Sequence, residues 1–176
     1  HSGLYEFNVM PFGLTNAPAT FQRLMNVTLA GLNWKICLVY IDDILIFSQT
    51  MDEHMIRLHN VFDRLRLSNL KVKPSKCKFA FFETNYLGHI ISEKGIRPDP
   101  EKIRAICDWH EDKIKINVKQ VRSFLGICNY YRRFVRNFAQ VARPLTELLK
   151  KDSDFNWTAQ CSHAFNELKK RLISRP

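Results

Sequence analysis

The chain has 176 residues, 45% of them hydrophobic and 25% charged, enough for one domain or for two small ones sharing a core. No apolar run approaches the roughly 18–20 uninterrupted residues of a membrane-spanning helix, so a transmembrane helix in this stretch is excluded. Lys and Arg number 27 against 17 Asp and Glu, a formal net charge of +10; this favours an anionic partner, most often nucleic acid, with an ordinary basic surface as the plain alternative.

The chain opens with residues 5–9, expected to form a short strand, and with a turn at Met10-Pro11-Phe12-Gly13. Thr15 or Asn16 can cap a helix that tolerates Pro18 in its first turn. Ala17, Phe21, Leu24, Met25 and Thr28 then follow a helical period, and Gly31 ends it. Residues 36–48 read as a buried apolar hairpin with Asp42 and Asp43 at its tip. Thr50 and Glu53 fit a capping box for a helix with Met55, Leu58, Phe62 and Leu65 as its buried stripe, stopping near Asn69. Residues 70–82 interleave Lys71, Lys73, Lys76 and Lys78 with Val72, Cys77 and Phe79, which predicts strand, turn at Pro74-Ser75, strand. Residues 86–91 predict another strand, followed by a turn at Gly95.

At Asp99-Pro100 the pattern turns helical, with a good cap followed by a residue suited to the first turn. Residues 110–118 are expected as a polar loop and residues 117–137 as one helix. Pro144 separates that helix from a short one over 145–149. A loop with Phe155 and Trp157 leads to a last amphipathic helix on Phe165, Leu168 and Leu172. The reading is an α+β part over 1–95, a small helical part over 96–150, and the start of something else over 151–176. Both chain ends, His1-Ser2 and Arg175-Pro176, fall mid-pattern, as expected of a piece of a longer polypeptide.

Two adjacent carboxylates in a partly dry turn repel each other, and burial disfavours both ionised forms. A divalent cation would remove that cost, and with Mg²⁺ the natural chemistry is phosphoryl or nucleotidyl transfer. A metal-dependent nuclease or phosphatase would need further acidic ligands nearby; Asp52 and Glu53 follow closely but fit helix capping better. Placed on a helical wheel, Val121, Phe124, Leu125, Cys128, Tyr131, Phe134, Val135 and Phe138 form one side. Lys119, Arg122, Gly126, Asn129, Tyr130, Arg133, Arg136 and Asn137 form the other. A glycine inside a helix costs about 1 kcal/mol relative to alanine. Close approach of another backbone would account for it, with Arg122 and Arg133 reaching phosphates or sugars and Tyr130 packing on a sugar. The alternative is a solvated basic face whose glycine admits another helix. Five scattered cysteines with no Cys-x-x-Cys fit free, mostly buried thiols in a reducing, intracellular compartment.

With these residues in place the chain resembles the reverse transcriptase of gypsy-like long-terminal-repeat retrotransposons, part of a Pol polyprotein. The matching stretches are GLYEFNVMPFGLTNAPATFQRLMN, VYIDDILIFS, LKVKPSKCKF, NYLGHIIS, RSFLGICNYYRRFVRNFAQVARPLTELLKK and FNWT, in the family's order over nearly the whole chain. YIDD alone is a weak signal; the ordered set is specific. The resemblance implies an α+β fold, a partial polymerase palm with an antiparallel sheet and helices on one face, followed by a helical thumb. On that reading 1–95 is palm, 96–150 thumb, and 151–176 the start of a connection toward ribonuclease H.

The resemblance also implies roles. Asp42 would be a ligand to two Mg²⁺ ions, Asp43 a supporting acidic residue, and Lys76 a general acid or positive charge near the triphosphate. Pro11, Phe12, Gly13 and Gln22 match the nucleotide- and template-binding segment, and Tyr40 and Ile41 would lie against the primer end. Tyr86, Leu87, Gly88 and His89 resemble the primer grip. Arg122, Gly126, Tyr130 and Arg133 match the thumb element that tracks the duplex. Partners would be an RNA or DNA template–primer duplex, deoxynucleoside triphosphates and the rest of the Pol polyprotein, with no membrane; the setting would be a cytoplasmic virus-like particle or the nucleus. The family's other catalytic aspartate lies on a strand upstream of Gly3, outside this chain, so the stretch alone is expected to be inactive. Where many retroviral relatives carry Gln, this chain has Phe12; where the family usually has proline-rich spacing it has residues 110–116. The other reading is a non-catalytic nucleic-acid-binding remnant or host-recruited module.

Overall fold

The computed structural model describes residues 3–115, 117–151 and 155–174. Ile116 of the expected polar loop, residues 152–154 of the loop before Phe155, and the terminal pairs His1-Ser2 and Arg175-Pro176 lie outside the described residues. The fold is α+β, with two antiparallel sheets instead of the single one expected, and two compact units that meet in sequence between Phe81 and Phe82. The expected palm limit at 95 falls inside the second unit.

In the first unit, helix α1 (Ala17–Thr28) precedes strands β1 (Cys37–Tyr40) and β2 (Asp43–Ile46), which pair antiparallel, and helix α2 (Met51–Leu67). Pro18 sits in the first turn of α1, and Asn16 precedes it without a side-chain cap. The capping box of α2 forms: Glu53 N–H donates to Thr50 Oγ1 at 3.2 Å, and the Glu53 carboxylate accepts from Gln49 N–H at 2.8 Å. The core is Met25, Leu29, Cys37, Val61 and Leu65, with Phe21, Val39, Ile44, Ile46 and Phe62 packed against it. Met55 and Leu24, expected inside, are exposed; the buried stripe of α2 runs through Val61.

Three expected strands are absent. Residues 5–9 are exposed, bend at Asn8 and Val9 and have no ladder partner, and residues 70–82 hold a 3₁₀ turn at Pro74–Lys76 where two strands were expected. Alternation makes a strand only where a second strand can take its backbone groups, and neither segment has one among the described residues.

The second unit holds a three-stranded antiparallel sheet, β3 (Glu83–Tyr86), β4 (His89–Ser92) and β5 (Gly95–Pro98). The stretch expected as one strand over 86–91 is instead a tight hairpin. Leu87 (φ 48°) and Gly88 (φ 66°) both adopt positive φ, the two-residue turn that matches strand twist. Helices α3 (Pro100–Cys107), α4 (Glu111–Ile114), α5 (Val118–Tyr130), α6 (Phe138–Glu147) and α7 (Ala159–Ile173) follow. Asp99 caps α3 by accepting from Glu101 N–H at 2.9 Å, and Asn117 caps α5 by accepting from Gln120 N–H at 3.1 Å. Their core includes Ile106, Ile114, Phe124, Leu145, Phe165 and Leu168.

The long helix expected over 117–137 ends at Tyr130. A 3₁₀ turn at Arg132–Phe134 follows, and Asn137 takes a left-handed φ of 56° before α6. Pro144, expected as a breaker, lies within α6. The buried side of α6, Ala142 and Leu145, belongs to the same core as Ala164 and Leu168 of α7, and this packing offsets the missing backbone bond. The polar loop over 110–118 contains α4, because Ile114 is fully buried and draws one helical turn inward.

Candidate catalytic hairpin and nucleic-acid interface

The register of β1 with β2 sets which side chains share a face. Cys37 pairs with Ile46 and Val39 with Ile44, and these point to the α1/α2 core. By the two-residue alternation of strands, Leu38, Leu45, Tyr40 and Asp43 take the opposite face. Tyr40 pairs with Asp43, so the connection is the two-residue turn Ile41-Asp42. Ile41 has φ 52°, a left-handed conformation costing a β-branched residue roughly 1–2 kcal/mol.

Gln22 of α1 holds that turn. Its Oε1 accepts from Ile41 N–H at 2.6 Å, while its Nε2 donates to Val39 carbonyl oxygen at 3.5 Å and to Asn26 Oδ1 at 2.9 Å. The position of Asp42 is thus set by a helix one layer behind it.

Asp42 and Asp43 are both exposed, a correction to the buried tip expected. Within this unit solvent screens the two carboxylates, so the desolvation argument for a cation does not apply to the hairpin by itself. Their hard oxygen donors suit Mg²⁺. Among the described residues, however, no group of three His, Cys, Asp or Glu side chains converges as a metal cage.

Other sites expected in this unit lie on exposed turns. Phe12 projects into solvent, and Gly13 has φ 89° with open space around an added Cβ. Pro11 is half-buried, and Tyr40 is exposed. Lys76, expected on a strand, ends the 3₁₀ turn and is exposed.

In the second unit the Leu87-Gly88 turn is met by two tyrosines from the end of α5. Tyr130 hydroxyl donates to Leu87 carbonyl oxygen at 2.6 Å, and Tyr131 hydroxyl donates to Gly88 carbonyl oxygen at 2.9 Å. Asp99 N–H also donates to Gly88 oxygen, at 3.1 Å. Asp99 is buried and its Oδ2 accepts from Asn85 Nδ2 at 2.6 Å. Burial, then the neighbouring Tyr130 and Asp99, push the Tyr131 hydroxyl up to about 12, so it stays a donor. His89 Nδ1 lies 2.8 Å from Leu87 oxygen and must carry the proton of that bond. The His89 ring lies tilted 5.4 Å from the Tyr130 ring and edge to face 5.5 Å from the Tyr131 ring.

All eight residues expected on the polar side of the 119–138 wheel are exposed, and the opposite side is buried or half-buried. The break at Tyr130 puts Arg133 on the 3₁₀ turn, where its guanidinium lies 5.2 Å from the Phe134 ring centroid. Within its own unit no atom comes within 4 Å of a Cβ built on Gly126, so no neighbouring helix accounts for that glycine there. The resemblance assigns Gln22 to substrate and does not show its bond to the turn; the helical wheel places Tyr131 in the core, where it is found, but does not show that its hydroxyl reaches Gly88. Adjacent tyrosines at a helix end were the available signal for the second, and nothing local signals the first.

Residues 1–91 match the family model described as reverse transcriptase (RNA-dependent DNA polymerase). The chain belongs to the reverse transcriptase family. Its 176 residues are 46% identical to the retrovirus-related Pol polyprotein from transposon 297 of Drosophila melanogaster, covering 99% of this chain and 16% of that protein. A 37% identity over 174 residues relates it to the transposon Tf2-3 polyprotein of Schizosaccharomyces pombe, covering 99% of this chain and 13% of that one. These Pol polyproteins are thus several times longer than the stretch they share with this family member. Among solved structures it is similar to the foamy viral protease–reverse transcriptase in complex with RNA/DNA hybrid. The identity is 27% and the TM-score 0.75, over 94% of this chain and 22% of that one. A related structure, the foamy viral protein in complex with double-stranded DNA, aligns at TM-score 0.76 over 93% of this chain and 34% of that one, again 27% identical. No helix among the described residues is long and apolar enough to cross a membrane.

Proposed function

We propose that the chain is the YIDD hairpin, primer-holding turn and duplex-tracking helix of an RNA-directed DNA polymerase acting on a template–primer duplex and deoxynucleoside triphosphates. The observation that carries the reading is the pair Asp42-Asp43 at a two-residue turn whose backbone is held by Gln22, in a chain whose first 91 residues match the polymerase family. Asp42 and Asp43 would hold Mg²⁺ together with a carboxylate from outside the chain, since the described residues supply no third ligand. Held there, Mg²⁺ would supply Lewis-acid activation of the primer 3′-hydroxyl and neutralise charge on the leaving pyrophosphate. The chain's own part is positional. Gln22 fixes where Asp42 points, Tyr40 and Ile41 border the primer end, Phe12 and Gly13 border the incoming nucleotide, and Lys76 brings positive charge to its phosphates. In the second unit the Leu87-Gly88 turn holds the primer, and the exposed face carrying Arg122, Gly126 and Arg133 follows the duplex. Residues 1–95 are read as palm, 96–150 as thumb, and the rest as the start of a connection.

The test is Asp42→Asn in the longer polymerase, assayed by primer extension with Mg²⁺ beside duplex affinity. Extension is expected to fall roughly a hundredfold or more with affinity unchanged, since the lost metal contact is worth several kcal/mol in the transition state. Unchanged extension overturns the catalytic assignment. The chain alone is expected to give no template-dependent extension.

A further inference from the structure

We propose that Tyr130 and Tyr131 are positioning residues that lock the Leu87-Gly88 turn onto the end of α5, so that the primer-holding turn and the duplex-tracking helix act as one rigid element. The functional half of this rests on the duplex-binding reading above; the mechanical half stands on geometry alone.

Both carbonyls of the turn are engaged by hydroxyls separated from it by 43 residues in sequence. Tyr130 takes Leu87 oxygen and Tyr131 takes Gly88 oxygen. The two tyrosine rings meet edge to face at 4.9 Å, with the His89 ring against both and Phe134 5.8 Å behind it. The turn packs closely against both tyrosines. A Cβ on Gly88 would lie 3.3 Å from Tyr131 oxygen and 3.6 Å from Tyr130, and the φ of 66° is one that side chains disfavour. Gly88 oxygen is also tied through Asp99 N–H to the start of α3. The turn is therefore fixed from α5 and α3 together.

This changes the part played by Tyr130. Its hydroxyl is committed to the protein, so its contribution to binding is to set the turn, while its partly exposed ring edge remains free. Losing the hydroxyls removes no cationic group, so affinity falls through lost preorganisation and the salt dependence keeps its slope.

The experiment uses the chain with Tyr130→Phe, Tyr131→Phe and the double variant. It reads amide exchange at Asp99 and Gly88, thermal midpoint, and affinity for a primer–template duplex over a range of salt. In the double variant we expect exchange at Asp99 to rise at least tenfold, and duplex affinity to fall several-fold at temperatures where the protein is fully folded, with the wild-type salt slope. A lower midpoint with unchanged affinity of the folded protein makes the tyrosines merely structural and overturns the positioning role. A flatter slope in the double variant means that cationic phosphate contacts are lost with the hydroxyls, and overturns a role confined to setting the turn. Unchanged exchange at Asp99 overturns the clamp itself. If the wild-type chain binds no duplex, the duplex reading fails, and the exchange measurement still decides the clamp.

Discussion

Ile41 is a β-branched residue in left-handed backbone at the turn that presents Asp42. Its amide points to Gln22 Oε1 at 2.6 Å, and this bond helps to hold a conformation that isoleucine disfavours. Truncation to alanine leaves the Ile41 amide without its partner, a loss of about 1 kcal/mol for a half-buried bond. Gln22→Ala is expected to speed exchange of the Ile41 amide roughly fivefold. Gln22→Glu keeps an oxygen acceptor there and should restore slow exchange. Hydrogen–deuterium exchange resolved at Ile41 checks both, and equal rates in wild type and Gln22→Ala would remove Gln22 from this role. The YIDD signature located the two carboxylates, and capping chemistry located Thr50 and Asp99 correctly, because these are signals carried by neighbours in sequence. The bond from Gln22 to Ile41 joins residues on different elements, and no local pattern encodes it.

At the level of elements the same distinction recurs. The period of residues 119–138 sorted buried from exposed side chains even past the end of α5, since a 3₁₀ turn departs little from helical spacing over three residues. The break starts at Tyr131 and ends at a left-handed Asn137 before α6, and periodicity reports neither. The alternating residues 70–82 look like strands by composition, yet a strand exists only through a partner. The fold of residues 110–115 depends on contacts from far along the chain. Glu111 Oε1 accepts from Ser162 hydroxyl at 2.5 Å and from Trp157 Nε1 at 3.1 Å, tying α4 to α7 and to the loop before it. The Ser162 hydroxyl, then the Trp157 indole and Lys115, hold the Glu111 carboxyl below its ordinary range. A carboxylate with a depressed folded value adds stability above its ordinary value, and this is lost as pH falls through the depressed one. Glu111→Gln is therefore expected to lower the thermal midpoint near neutral pH, and to flatten its decline as pH falls from the ordinary carboxylate value of 4.5 through the depressed one. Trp fluorescence melts across that range check it; parallel wild-type and variant curves would dissociate Glu111 from the acid sensitivity.

For the molecule as a whole, two separate cores carry two halves of one proposed task. The first unit rests on a small core around Met25, Leu29, Cys37, Val61 and Leu65 and leaves Leu4, Tyr5, Phe7 and Phe12 exposed. The second has the larger core, including Phe124, Phe165 and Leu168. A net charge of +10 gives the chain attraction for any polyanion, so binding by itself does not identify a duplex-tracking surface. Salt dependence separates the cases. Arg122 sits on α5 and Arg133 on the 3₁₀ turn beyond it, both exposed. If each neutralises one phosphate, replacing both with alanine should flatten the slope of log affinity against log salt by roughly 0.9 per contact, about 1.8 in all. Affinity at low salt should fall as well. Replacing two exposed lysines of the first unit, Lys71 and Lys73, removes the same charge elsewhere and should flatten the slope less, provided that the contacts are specific. Equal flattening in the two double variants would mean that general charge, and not the α5 surface, holds the nucleic acid.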